Sequence, residues 1–133
     1  MESLVVSTKK YSYIDFLPFF RGPAKLSLSK ESENNIIRSQ KYLLQNLKKD
    51  KPIYGVNTGF GNLSHILINS EDIEKLQTNL IRSHASGIGG PLSLGVVRSV
   101  LFLKLLTFAK GYSGVSLELV KKLFNYSIKI YYQ

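Results

Sequence analysis

Clusters of glycine divide this chain of 133 residues into short segments and limit the regular structure that it can form. Three glycines fall within residues 55–61, three within 87–90, just before a proline, and two more at 111 and 114. Glycine has the largest backbone entropy to lose on folding, so such clusters interrupt helices and strands. We therefore expect loops at 52–63 and 87–91 and a break after residue 110.

Between these breaks, apolar residues recur at helical spacing in four segments. The first helix is predicted to be capped by Ser29 and to end before Pro52. The second is predicted to begin at Ser70 and to end at the glycines near residue 87, with a buried face formed by Ile73, Leu76, Leu80 and Ile81.

The third and fourth predicted helices lie in the last part of the chain. The third covers about 94–110 and is apolar around most of its circumference, which predicts burial between other helices. The fourth starts at Ser113 or Ser116. Residues 4–8 and 24–29 have β-branched or alternating patterns, which indicate short strands in the lead-in. We expect a mainly α fold in a single domain over residues 1–133.

Composition excludes several kinds of site. The chain has no cysteine, and its two histidines, His65 and His84, have no carboxylates at ligand-like spacing, so the sequence predicts no metal site. The net charge of +9 raises the hypothesis of nucleic-acid binding, but the basic residues are mostly scattered lysines, which favours a solvated surface. The sequence shows neither a secretory leader nor a long apolar run, so we expect a soluble cytoplasmic protein without a membrane partner.

Two residues are candidates for chemistry. Tyr54 stands in the first glycine-rich loop, where hydrogen bonds to a phenolate would favour its use as a base. A packed tyrosine in a surface turn is the competing interpretation. His84 follows Leu80 by one helical turn, which directs it toward the interior or a cleft, and it leads into the second glycine cluster. A lone histidine in such a position is more often a structural residue, which is the competing interpretation.

Three motifs in register resemble the histidine ammonia-lyase family. They are Tyr54–Gly61, Asn79–Leu92 and Ala109–Val115, which have the same order and similar spacing in that family. Arg21-Gly22 and Leu26–Leu28 also look like the family's lead-in. The resemblance covers essentially the whole chain and implies the helical amino-terminal part of the ammonia-lyase fold, truncated before its long central bundle.

The resemblance implies a role for particular residues. Tyr54 matches the tyrosine that removes a β-proton from the amino acid, and His84 matches a histidine that contacts the substrate. The pair Ser83-His84 differs from that of phenylalanine and tyrosine lyases and so favours L-histidine as substrate and urocanate as product. Gly61 belongs to the tyrosine loop and is expected to set its backbone path at the substrate site.

The family also uses a cofactor made from its own backbone, a methylidene-imidazolone group formed from an internal Ala-Ser-Gly. The resemblance places that sequence beyond Gln133, so we expect no cofactor within this chain and no lyase activity from the chain alone. Ala85-Ser86-Gly87 has the same three residues but lies in a motif that does not cyclise in the family. The alternatives are an assembly module that pairs with itself or with a complementing lyase chain, a decayed fragment, and a lyase for another aromatic amino acid.

Overall fold

The computed structural model describes residues 2–22, 24–49 and 51–129, which are mainly α-helical, as predicted. The described elements, in chain order, are β1 (Glu2–Val6), α1 (Tyr13–Arg21), β2 (Ala24–Leu28), α2 (Lys30–Leu47), 3-10 turns at Gly61–Leu63 and Ser70–Asp72, α3 (Ile73–His84), α4 (Leu94–Ala109) and α5 (Leu117–Lys129). Contacts divide the chain into two compact units. Unit 1 comprises Met1–Leu43 and Pro91–Gln133, and unit 2 comprises Leu44–Gly90.

The two predicted strands are present in unit 1. β1 and β2 pair in parallel, with Leu4 opposite Leu26 and Val6 opposite Leu28. Ala24 and Leu26 of β2 are buried and the intervening Lys25 is exposed, as the alternating pattern indicates.

The connection between the strands is a helix that the sequence analysis missed. At the start of α1, the Asp15 carboxylate accepts hydrogen bonds from the backbone N–H and the hydroxyl of Ser12, at 2.7 and 3.1 Å. Pro18 lies inside this helix, where proline normally interrupts the hydrogen-bond ladder. The aromatic rings of Phe16 and Phe19 pack against Phe102, with centroids 5.8 and 5.4 Å away. This tertiary packing favours a helix that the local sequence pattern did not indicate. The described residues therefore form five α-helices, one more than the four that were predicted.

The core of unit 1 is built mainly from the strands and from α1, α4 and α5. Its buried apolar residues are Val6, Phe19, Ala24, Leu26, Ile36, Phe102, Leu105, Phe108, Ala109, Val120 and Phe124. α4 supplies four of them from one face, while Val96, Val100 and Leu103 on another face are 38%, 57% and 49% exposed. The prediction that α4 is buried between helices is therefore confirmed for one of its two apolar faces.

Helix boundaries agree closely with the predictions in unit 1. The Ser29 hydroxyl accepts a hydrogen bond from the backbone N–H of Ser32 at the start of α2. The Ser116 hydroxyl likewise accepts from the backbone N–H of Leu119 at the start of α5. Both serines are thus N-caps, which satisfy donors that have no partner inside the helix. Gln133, beyond which the resemblance places the cofactor sequence, lies outside the described residues.

Unit 2 differs from the prediction in detail. Ser70 begins a 3-10 turn rather than the α-helix, which starts at Ile73. No residue of α3 is fully buried, and Ile81, which was expected on the buried face, is 69% exposed. Within the described ranges, no helix combines the length and the apolar character needed to cross a membrane.

The third glycine motif joins α4 to α5 in unit 1 and is tied to α2. Gly111 has φ +73°, and a Cβ there would lie 2.6 to 2.8 Å from atoms of Asn35, backbone atoms among them. The backbone N–H of Gly114 donates to the hydroxyl of Ser39, 75 residues earlier, at 3.0 Å. This motif therefore stabilises the junction of three helices.

Candidate functional site

Tyr54 lies in the irregular segment between α2 and α3, as predicted. Tyr54 is 66% exposed, so a ligand in solution can reach its phenol. The loop turns sharply here, because the backbone N–H groups of Val56 and Asn57 both donate to the carbonyl of Ile53. The structure thus presents the tyrosine on a turn that is closed by its own backbone.

Asn57 holds this turn together from inside. It is 5% exposed, and its side-chain carbonyl accepts a 2.7 Å hydrogen bond from the backbone N–H of Ile53. Its amide N–H donates to the carbonyl of Lys51 at 3.0 Å. Its backbone carbonyl accepts from the N–H of Ile68 on the returning chain at 2.8 Å. The polar groups of one buried residue therefore connect both sides of the Tyr54 loop.

Phe60 supports the Tyr54 ring directly. The two ring centroids are 6.0 Å apart with planes at 72°, an edge-on arrangement that aromatic rings favour. The Phe60 ring also lies 3.4 Å from the place that a Cβ on Gly55 would occupy. Glycine is favoured at position 55 by its φ of +73°, since a Cβ there would make only an ordinary contact with Phe60.

Gly61 is exposed and begins the 3-10 turn Gly61–Leu63. Its φ of +55° lies in the left-handed region, which glycine adopts without the steric cost that a Cβ brings. Its carbonyl accepts from the backbone N–H of Ser64 at 3.0 Å. These contacts make Gly61 a determinant of the loop's path.

His84 is the last residue of α3 and is exposed rather than directed into an interior. Its Nδ1 lies 2.8 Å from the carbonyl oxygen of Leu80 and 3.0 Å from the hydroxyl of Ser83. The Ser83 hydroxyl donates to the same Leu80 carbonyl at 3.0 Å. The Leu80 carbonyl lies in the last full turn of α3, and these bonds fix the orientation of the imidazole ring.

The sequence Ala85-Ser86-Gly87 does not fit a backbone-derived cofactor. All three residues are exposed, and the N–H of Ser86 donates to the carbonyl of His84. Closing a ring within the backbone requires strain that the surrounding packing must hold in place. An exposed segment lacks such packing, so we assign no cofactor to these residues.

All three predicted site residues therefore lie in unit 2. Tyr54 and Gly61 lie in the loop before α3, and His84 lies at the end of α3. In the described part of the chain, the contacts of Tyr54 and those of His84 share no residue. A pocket of about 820 Å³ in the same unit is lined by other residues, among them Leu44, Leu67 and Ile73. Of the loop residues discussed above, only Asn57 and Ile68 reach it.

The contacts that Asn57 and Phe60 make in the Tyr54 loop were not predicted from sequence. Asparagine is typical of turns because its side chain bonds nearby backbone groups, and that was the available signal. Phe60 had no comparable signal, since a phenylalanine between two glycines does not reveal which ring it contacts.

The described residues thus combine an exposed tyrosine on a hydrogen-bonded glycine loop with a histidine fixed at a helix end, within a mainly α chain. The family model for aromatic amino acid lyases matches residues 12–129. The chain belongs to the aromatic amino acid lyase family.

Two histidine ammonia-lyases are similar to this chain in sequence. Histidine ammonia-lyase from Caenorhabditis elegans is 43% identical over 103 residues, which cover 77% of this chain and 15% of the relative. Histidine ammonia-lyase from Caldanaerobacter subterraneus is 37% identical over 123 residues, which cover 92% of this chain and 24% of the relative. The chain thus spans less than a quarter of these relatives' length.

Among solved structures, tyrosine aminomutase from Streptomyces globisporus is similar with a TM-score of 0.89 and 26% identity. The match covers 96% of this chain and 24% of that structure. Nearly the whole of this chain therefore has the fold of about a quarter of that structure.

Proposed function

We propose that this chain contributes two groups to a lyase site that eliminates ammonia from L-histidine to give urocanate. Tyr54 is the base that takes the β-proton, and His84 contacts the substrate's side chain. The observation that carries the proposal is the accessible Tyr54 phenol on a loop pinned by Asn57, in a chain 43% identical to a histidine ammonia-lyase over 103 residues. Gly61 contributes to the substrate site by setting the path of that loop.

We further propose that the electrophile of this reaction comes from polypeptide outside residues 1–133. In the family a methylidene-imidazolone group activates the substrate's amino group as a leaving group. The side chains of unit 2 supply a base and a polar contact, but a base alone does not activate an amine for departure. We expect the isolated chain to bind at most weakly to L-histidine and to produce no urocanate.

A hybrid enzyme tests the role of Tyr54. The matching segment of the Caenorhabditis elegans histidine ammonia-lyase is replaced with that of this chain, and urocanate absorbance is followed with L-histidine. We expect the hybrid to be active and Tyr54→Phe to lower kcat by about 10²-fold to 10⁴-fold, the usual contribution of a positioned acid or base. Tyr13→Phe is the matched control, because Tyr13 is equally exposed at 66%.

The outcomes separate the parts of the proposal. An active hybrid in which Tyr54→Phe and Tyr13→Phe are equally harmless removes Tyr54 from the base role. Urocanate formation by the isolated chain contradicts the location of the electrophile. Because a tyrosine aminomutase shares the fold, L-tyrosine and L-phenylalanine are assayed beside L-histidine, and preference for either one contradicts the assignment of substrate.

The exposed face of α4 favours a second candidate function, that of an assembly module. Val96, Val100 and Leu103 recur at helical spacing on this face, and such a patch of apolar surface commonly marks an interaction site. The partner is a second copy of this chain or a complementing lyase chain.

Light scattering after size exclusion tests this candidate. A Val100→Glu, Leu103→Glu double variant is expected to be monomeric where the native chain associates. Tyr126→Glu, at another exposed apolar residue of unit 1 (61% exposed), is the control and is expected to associate like the native chain. A native chain that is monomeric at high concentration rules out self-association and leaves a complementing lyase chain as the partner of this face.

A further inference from the structure

Two separate stretches of chain form the pocket of about 820 Å³ in unit 2. Leu44, Leu47 and Lys48 recur at helical spacing at the end of α2, so they share one side of its last turn. Residues 67–71 and Ile73, which lead into α3, line the same pocket. Its volume is in the range of small-molecule sites.

The pocket gathers apolar surface that unit 2 does not bury elsewhere. Within the described part of unit 2, no apolar side chain is fully buried. Five aliphatic side chains line the pocket instead, and they are Leu44, Leu47, Leu67, Ile68 and Ile73. Leu44 and Leu67 are 52% and 47% exposed. An occupant with an aliphatic body removes this surface from water, which is favourable in proportion to the area covered.

Two opposite charges line the same pocket, Lys48 from one stretch of chain and Glu71 from the other. The ion pairs among the described residues join Lys30 to Glu33 and Lys122 to Glu118, so neither charge of the pocket takes part in one. Glu71 repels a ligand that is only an anion, and Lys48 repels one that is only a cation. A ligand that carries both a carboxylate and an ammonium group satisfies both residues.

We propose that this pocket binds a small zwitterion with an aliphatic body, the chemistry shared by an aliphatic amino acid and its dipeptide. The ligand's carboxylate pairs with Lys48, its ammonium group pairs with Glu71, and its aliphatic part covers the leucines and isoleucines. Tyr54, Gly61 and His84 do not line this pocket, so the inference goes beyond the proposed lyase function.

Binding in this pocket stabilises the Tyr54 loop, because Asn57 and Ile68 belong to both. The backbone N–H of Ile68 donates to the carbonyl of Asn57 at 2.8 Å. The side chain of Asn57 in turn accepts from the N–H of Ile53, one residue before Tyr54, at 2.7 Å. A ligand that holds these pocket residues in place therefore opposes opening of the loop, and the pocket acts as an effector site.

NMR titration of the intact, ¹⁵N-labelled chain tests binding without any need for activity. L-leucine and L-leucyl-L-leucine are the probes, and the tighter of the two identifies the source of the ligand. We expect saturable shifts of the Asn57 side-chain amide and the Ile68 N–H, with a Kd on the order of 1 mM. Isocaproate lacks the ammonium group and leucinamide lacks the carboxylate, and each is expected to bind about twofold to fivefold more weakly than L-leucine.

Two matched pairs of variants locate the ligand. Lys48→Gln is expected to weaken binding of L-leucine by about twofold to fivefold and to spare leucinamide, whereas Lys49→Gln changes an exposed neighbour outside the pocket and spares both. Leu67→Ser is expected to weaken binding of all four probes by about fivefold. Its control is Leu63→Ser, at a leucine outside the pocket that is 55% exposed.

Hydrogen exchange tests the link to the Tyr54 loop. With the tighter probe about tenfold above its Kd, we expect exchange across residues 51–69 to slow by about tenfold and exchange in α5 to stay unchanged. Absent or unsaturable shifts with both L-leucine and its dipeptide overturn the site. Equal affinities for L-leucine, isocaproate and leucinamide overturn the zwitterion, and saturable binding without slower exchange overturns the effector role.

Discussion

The ring of Tyr54 meets the ring of Phe60 edge-on, with 6.0 Å between the centroids and 72° between the planes. Tyr54 is largely exposed, so this contact is the main restraint on a side chain that would otherwise rotate freely. Because an acid or base acts only within hydrogen-bond reach of the proton it moves, this restraint bears on the base role that we propose for Tyr54.

Replacing Phe60 therefore tests the alignment of Tyr54. We expect Phe60→Leu in the hybrid enzyme to lower kcat by about tenfold, with little change in KM, since small misplacements of catalytic groups have large kinetic effects. Phe20→Leu, at a partly exposed phenylalanine of α1, is the matched control. Equal kcat values for the two variants would show that Phe60 does not position the tyrosine.

Asn57 provides a test of the loop itself. Asn57→Ala removes the acceptor of the Ile53 N–H and the donor to the Lys51 carbonyl, and leaving such groups unpaired costs about 1–3 kcal/mol. We expect faster hydrogen exchange across residues 51–69 and weaker activity of the hybrid. Asn62→Ala changes an exposed asparagine of the same loop and is expected to leave exchange unchanged. Similar exchange in both variants would contradict the role assigned to Asn57.

Gly111 tests the junction of α2, α4 and α5. In Gly111→Ala the new Cβ meets the backbone of Asn35 and the residue is held at φ +73°, which costs about 1–2 kcal/mol for backbone conformation alone. We expect at least that loss in the free energy of unfolding of unit 1, measured by urea titration. Gly22→Ala is the control, because no atom lies within 4 Å of its Cβ position and its φ is −165°. A loss no larger than that of the control would contradict the close approach.

The start of α1 is expected to depend on pH. Hydrogen bonds from the backbone N–H and the hydroxyl of Ser12, with a smaller effect of Lys9, lower the pKa of Asp15 from its ordinary value of 3.8. A lowered pKa means that the folded state favours the carboxylate. Its stabilising effect is therefore complete above about pH 4 and is lost as the pH falls through the folded-state value.

Thermal unfolding between pH 7 and pH 2 measures this effect. Asp15→Asn is expected to lower Tm at pH 7 and to reduce the fall in Tm on acidification. Ser12→Ala keeps the backbone hydrogen bond, which is the largest cause of the shift, and is expected to retain most of the pH dependence. Identical profiles for the native chain and Asp15→Asn would contradict the prediction.

Local sequence patterns predicted most of the fold where an element's cause lies within a few residues. The sequence predicts Ser29 as a cap and offers Ser113 or Ser116 as the start of α5, because capping involves only the next three residues; the structure selects Ser116. α1 was missed because its formation depends on Phe16 and Phe19 packing against Phe102, more than 80 residues away. The exposure of Ile81 was likewise mispredicted, since helical spacing shows that residues share a face but not whether anything covers it.

At the candidate site, too, local features were predictable from sequence and tertiary contacts were not. By itself, the sequence determined the mainly α class, the glycine loops that flank α3 and the three motifs by which the chain belongs to the aromatic amino acid lyase family. Only the tertiary structure showed that Asn57 closes the Tyr54 loop, that the Phe60 ring contacts the Tyr54 ring and that Nδ1 of His84 lies 2.8 Å from the Leu80 carbonyl oxygen. The physical reason is that hydrogen bonds and ring contacts depend on distance and direction, which residue spacing constrains but does not specify.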